Sequence, residues 1–192
     1  TFDLADLTYF ARVDTDPGVI FVRADSPYKT IQDVVAAAKK KTLNVSTSRL
    51  AHPASVGLLA FGEHTGAKFN LIPLSGGKNT IAGVVTKEMD LGTLTSGSVA
   101  AKGKSLCTLL VFNDKNVVPD RLSNAPTMNQ VYGTSIPPLL SSRAFAIQTS
   151  VIRDHPDRFK ILNDTVRKTF DDPDLKPAIL KARGIWEYIN YG

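Results

Sequence analysis

The sequence is poor in the features that mark disulfide scaffolds, membrane spans and most enzymes. Its 192 residues include one cysteine, Cys107, so no disulfide can close within the chain. That low usage suits either the cytosol or a bacterial periplasm. No run of about 18 apolar residues occurs, so no membrane helix and no direct insertion are expected. The opening Thr1-Phe-Asp-Leu carries neither an initiator Met nor a signal peptide, which points to a processed, trimmed or fragmentary chain. Catalytic signatures are missing too: there is no G-x-S-x-G, no H-E-x-x-H and no C-x-x-C. His52, His64 and His155 lack metal-ligand spacing. Gly77-Lys78-Asn79-Thr80 fails as a phosphate loop, because Asn79 stands where Ser or Thr must follow the Lys and Ile72 where the first Gly is needed. No enzyme activity, metal or cofactor is therefore expected. The 23 Lys and Arg, giving a net charge of +5, are dispersed except at Lys39-Lys40-Lys41. No aromatic interleaves with that run, which reads as a solvated helix end, and no nucleic-acid partner is expected.

What is present is enough apolar content, 43%, for a substantial core. Apolar, β-rich runs recur at 19–22, 43–45, 69–72, 89–91 and 106–112, separated mostly by segments of helical period. This cadence predicts an α/β unit with a largely parallel sheet. Thr30 is the expected N-cap of a first helix, with Asp33 completing a capping box and Ile31, Val34, Val35 and Ala38 facing inward. A second helix starts at Pro53, stops before Gly66 and turns Val56, Leu59 and Ala60 to the sheet. A third starts near Asn79 or Thr80, with Ile81, Val84 and Val85 inside. Residues 113–138 hold four of the eleven prolines and read as a long connection with a short helix at 128–132. A strand at 143–147 and two C-terminal helices follow, the first with Phe159, Leu162, Val166 and Phe170 at helical spacing.

Chemistry concentrates where strands hand over to helices. The first such loop offers Ser46, Thr47, Ser48, His52 and Ser55; the second offers Ser75, Gly76, Gly77, Lys78, Asn79 and Thr80. Helix starts present backbone N–H groups and favour anions. Ligands of open α/β sheets bind outside the carboxyl ends of the strands, where both loops fall. Simple helix capping is the alternative for any one hydroxyl. A third loop, 92–98, adds Thr95 and Ser96, with a plain flexible loop as its alternative. Arg143 is a candidate carboxylate fork, with an exposed surface arginine as the alternative.

Residues 21–39, with Ser26-Pro27 and the helix after it, resemble the substrate-binding proteins of tripartite tricarboxylate transporters, also called Bug proteins. Residues 43–66 are similar to that family's strand, small-residue loop and Gly-ended helix. Pro73 to Thr80 is similar to its Pro-Tyr-Lys-Gly-Ser loop, and Lys87-Glu-Met-Asp90 to its Gly-Gln-Val-Asp. Ala125-Pro-Thr-Met-Asn-Gln-Val-Tyr-Gly133 is similar to its Val-Pro-Thr-x-x-Glu-x-Gly. Arg49 and Leu50 stand where the family has small residues or Pro.

The resemblance implies a periplasmic-binding-protein-like type II α/β fold of two lobes, the first incomplete in this chain. Residues 18–112 would form the complete ligand-binding second lobe, 113–139 a crossover and 140–192 the returning part of the first. It implies a periplasmic solute-binding protein that closes on a small carboxylate and delivers it to membrane permease subunits. A sensory or regulatory module of the same fold is the alternative.

Overall fold

The computed structural model describes residues 3–191, and the chain divides into two compact units, residues 16–141 and residues 1–15 with 142–192. The larger unit is a sheet flanked by helices. Its strands are β1 (Leu7–Arg23, entering from the smaller unit), β2 (Leu43–Thr47), β3 (Phe69–Pro73), β4 (Leu91–Thr95) and β5 (Leu106–Val111), in the order β3-β2-β4-β1-β5. β2 pairs parallel with β3 and β4, whereas β1 pairs antiparallel with β4 and β5. The sheet is therefore mixed, not largely parallel. A strand arriving from another unit needs no helical crossover, so nothing obliges it to run parallel to its neighbours. The carboxyl ends of β2, β3 and β4 still emerge together, because only β1 is reversed.

Helix α1 (Ile31–Lys40) begins as its sequence predicts. Thr30 accepts the Asp33 N–H at 3.2 Å while the Asp33 carboxylate accepts the Thr30 N–H at 2.9 Å. Helix α2 (Pro53–Thr65) ends on Gly66, whose φ of 72° is the left-handed cap glycine tolerates best. Its inner face departs from the expectation. Ala54, Ser55, Gly57, Leu58 and Phe61 are buried, while Val56 and Leu59 are exposed. Close approach decides this: a Cβ on Gly57 would lie 2.6 Å from the buried Phe112 ring, so the helix turns its smallest residues to the sheet. Helix α3 (Gly77–Val85) buries Thr80, Ile81, Gly83 and Val84 and leaves Val85 exposed.

The fourth strand also starts later than its apolar residues suggest. Met89 and Asp90 form the turn, where Asp90 takes the Asn44 N–H at 2.8 Å, and β4 itself is Leu91-Gly-Thr-Leu-Thr95. Thr93 is fully buried there because its hydroxyl bonds the carbonyls of Val19 and Ala54, both at 3.0 Å. Helix α4 (Ser96–Ala100) follows directly. After β5, residues 113–141 pack with the larger unit, anchored by buried Leu122, by Met128 of α5 (Met128–Tyr132) and by the Leu139 N–H on Phe112.

In the smaller unit β6 (Leu140–Gln148) pairs with β1, followed by α6 (Thr149–Asp154), α7 (Pro156–Phe170) and α8 (Leu175–Lys181). Phe10 packs against Phe145 and edge-on against Phe159. Val13, Phe145, Val166, Phe170, Ile179 and Ile189 line an apolar hollow of about 220 Å³. No residue of α7 is buried, and Ile161 and Leu162 are exposed.

Two substitutions test this packing. Gly57→Ala should destabilise the protein by about 1–3 kcal/mol in urea unfolding, since the Phe112 ring has no free space to enter. Lys87 follows α3 with φ 70°, a conformation that costs a side-chain-bearing residue about 1 kcal/mol, so Lys87→Gly should raise the urea midpoint.

Candidate functional site

Parallel pairing sets the loops side by side. Thr47 faces Pro73 in the β2–β3 register, and the Leu74 N–H donates to the Thr47 carbonyl at 2.7 Å. The start of α3 then reaches toward the end of β4: a Cβ on Gly77 would lie 3.3 Å from Leu94 and 4.0 Å from the Ser98 hydroxyl. The loops after β2, β3 and β4 thus converge at one end of the larger unit.

Most of the expected hydroxyls are consumed inside this scaffold. Ser46, Thr47, Ser55, Thr80 and Ser96 are all fully buried. Ser46 donates to the Thr80 carbonyl at 2.8 Å, and Thr80 donates to Gly76 and Leu74 carbonyls at 3.0 and 3.3 Å. The Thr47 and Ser55 oxygens lie 2.6 Å apart, and both hydroxyls reach the Arg49 carbonyl, at 3.3 and 2.9 Å. These bonds hold the loops in shape.

The two long helix starts differ. In α2, Pro53 has no N–H, Ala54 donates to His52 Nδ1 at 3.1 Å, and the Ser55 and Val56 N–H groups donate to the His52 carbonyl. Its first-turn donors are spent. In α3, Gly76 adopts φ 82° and offers no side-chain cap. Among the described residues the backbone N–H groups of Gly77, Lys78 and Asn79 have no acceptor. Lys78 and Ser75 beside them are exposed, and Asn79 donates its side-chain amide to the Ser75 carbonyl at 2.9 Å. An anion placed here meets three aligned donors and the positive end of a helix.

His52 is 4% exposed and accepts through Nδ1, so its proton sits on Nε2. Burial, and secondarily the charge of Arg49, push its pKa below the usual 6.5. The ring is the neutral cap of α2. Ser48 is half-buried beside it, and Arg49 is exposed with no ion pair among the described residues.

At the third loop, Thr95 and Ser98 pair through their hydroxyls at 3.1 Å. Ser96 and the Gly97 N–H instead bind Asp16, a carboxylate of this chain, at 2.8 and 3.0 Å. In the smaller unit, Arg143 grips Asp14 in the bidentate fork that a ligand carboxylate would otherwise use, Nε at 2.9 Å and Nη2 at 2.7 Å. Sequence reasoning missed Asp16 as an internal partner and passed over Arg49. Asp16 lay outside every loop searched, whereas Arg49 was visible as the one cation within the first loop.

His52 predicts an acid limb of stability. The unfolded chain takes up a proton near 6.5 that the folded ring resists, so the contribution is full above that pH and is lost as pH falls below it toward the lower folded value. The urea midpoint should drop between about pH 7.5 and 5. It should drop less in His52→Asn, which keeps a capping acceptor that does not titrate.

Comparison with known proteins supplies the context. The structure resembles a TctC solute-binding protein from Polaromonas, solved with no ligand, at 22% identity and TM-score 0.70, covering 100% of this chain and 64% of that one. It also resembles MatC from Rhodopseudomonas palustris with bound malate, at 16% identity and TM-score 0.71, covering 88% and 57%. A third match is an R. palustris protein with adipate, at 18% identity and TM-score 0.70, covering 95% and 60%. The chain thus spans about three fifths of the length of these structures, and the likeness fixes a periplasmic-binding-protein fold. No curated protein matches the chain. Receptors of the tripartite tricarboxylate family are periplasmic and in general are binding proteins, not enzymes. No helix among the described residues is long and apolar enough to cross a membrane. The family model for the tripartite tricarboxylate transporter receptor, TctC, matches residues 1–184, and the chain belongs to that family.

Proposed function

We propose that the protein is a periplasmic solute-binding receptor that captures a small carboxylate on the loops after β2, β3 and β4 and hands it to a membrane permease. One observation carries the reading: the backbone N–H groups of Gly77, Lys78 and Asn79 at the start of α3 bond no acceptor among the described residues, and the Lys78 cation lies beside them. Residues 46–62 and 73–87 contain no Asp or Glu, which favours an anion at the loops after β2 and β3, whereas the loop after β4 already holds the Asp16 carboxylate. Relatives of the same fold hold malate and adipate. No nucleophile paired with a base lies in these loops, since the one histidine spends its Nδ1 on capping.

Calorimetry of the purified protein against C4 to C6 carboxylates tests this. Gly77→Pro is the informative variant, because proline is tolerated at the first position of a helix yet removes one donor N–H. Affinity should fall about tenfold with the helical circular dichroism unchanged. If the unsubstituted protein binds no carboxylate, the reading fails.

A further inference from the structure

Charge is shared unevenly between the two units. The larger one, residues 16–141, holds 13 Lys and Arg against 8 Asp and Glu, and the smaller one 10 of each, so the larger carries the whole net charge of +5. Much of the excess gathers at the end of the sheet opposite the candidate loops, where β2 to β5 begin and β1 finishes. The Lys68 N–H donates to the Ala38 carbonyl at 3.1 Å and the Lys68 carbonyl accepts the Leu43 N–H at 3.0 Å, which sets Lys68 beside Lys39, Lys40 and Lys41 at the end of α1. Lys41 reaches Asp90, before the start of β4, at 3.8 Å. Lys87 and Arg23 line one hollow with Asp90. Arg23 is also in register with Leu106 of β5, and the Ala24 N–H donates to the Ser105 carbonyl at 3.1 Å, directly after Lys102 and Lys104.

Every one of these lysines is exposed, and among the described residues only Lys41 has an acid within ion-pair distance. The acids of this end are mostly engaged: Asp25 by Arg23, Asp90 by Lys41 and the Asn44 N–H, and Asp33 by the N–H groups of Lys29 and Thr30. Glu88 is left against the cluster. The composition discriminates between occupants. Protein interfaces are poor in Lys and draw on Arg, Trp and Tyr, whereas a lipid surface offers diffuse charge that flexible ammonium groups meet without fixed partners. We propose that this end of the larger unit docks on an anionic bilayer surface, held by charge without insertion. An occupant there leaves the loops after β2, β3 and β4 uncovered, because they lie at the other end of the strands. The proposal stands apart from the carboxylate reading, since it uses none of those loops.

Co-sedimentation of the purified protein with vesicles tests this, using phosphatidylcholine alone and phosphatidylcholine with about 30% phosphatidylglycerol. The protein should pellet with the anionic vesicles only, and salt at about 0.5 M, which shortens the screening length, should release it. A triple variant of the face, Lys39→Gln with Lys40→Gln and Lys68→Gln, should bind the anionic vesicles about ten- to a hundredfold more weakly. A triple variant of the smaller unit with the same change in net charge, Arg158→Gln with Lys168→Gln and Lys181→Gln, should lose less than about threefold. All six side chains are exposed, so both variants should keep the urea midpoint of the unsubstituted protein. No binding to anionic vesicles, equal binding to neutral ones, or equal losses in the two triple variants would overturn the docking face. Preference for soluble polyglutamate over the vesicles would also overturn it, in favour of an acidic polypeptide partner.

Discussion

The arrangement of the site depends on how closely α2 lies upon the sheet. A Cβ on Gly18 would come 2.7 Å from the Ala54 backbone, and Gly57 lies against the Phe112 ring with no more room. Those contacts seat the first turn of α2 over the crossing of β1 and β4. Thr93 on β4 then reaches the Ala54 carbonyl, and His52 is carried into a buried position where it must cap the helix uncharged. Wider spacing would leave Thr93 with the Val19 carbonyl alone and the imidazole wet. The loop that carries Arg49 is thus positioned from beneath, by the close packing of α2 on the sheet.

The elements that read correctly from sequence are those whose signals are local. The Thr30–Asp33 capping box, the Pro53 start, the Gly66 stop and the short helix after Thr127 each declare themselves within four residues. What failed to read depended on partners distant in the chain. The inner face of α2 was misassigned because Val56 and Leu59 carry the apolar signal, while the helix buries Ala54 and Gly57 to fit Phe112. β4 was displaced because its buried Thr93 bonds carbonyls of β1 and α2, which makes a polar-looking segment a central strand. The reversed direction of β1 had no local mark at all.

The same distinction runs through the site. Composition pointed to these loops but could not separate a hydroxyl that holds a loop from one that faces solvent. Ser46, Thr47, Ser55 and Thr80 have the chemistry of ligand donors, yet each is spent within the unit, because a tight turn at a strand end has carbonyls that only neighbouring side chains can reach. The groups left outward include backbone amides, two long cations and the Ser75 hydroxyl. In such an arrangement the buried hydroxyls supply rigidity to the loops.

Asp16 gives the third loop a different character. Its carboxylate already occupies the start of α4, held by Ser96 and by the Gly97 amide, and a Cβ on Gly97 would lie 2.7 Å from one of its oxygens. Covalent attachment makes this acid a tethered competitor, whose effective concentration at that position far exceeds that of any free metabolite. A soluble anion arriving at the loops meets one of the three helix starts permanently answered by the protein's own chain. The third loop is thereby held in one form by the chain itself, whatever the solution contains.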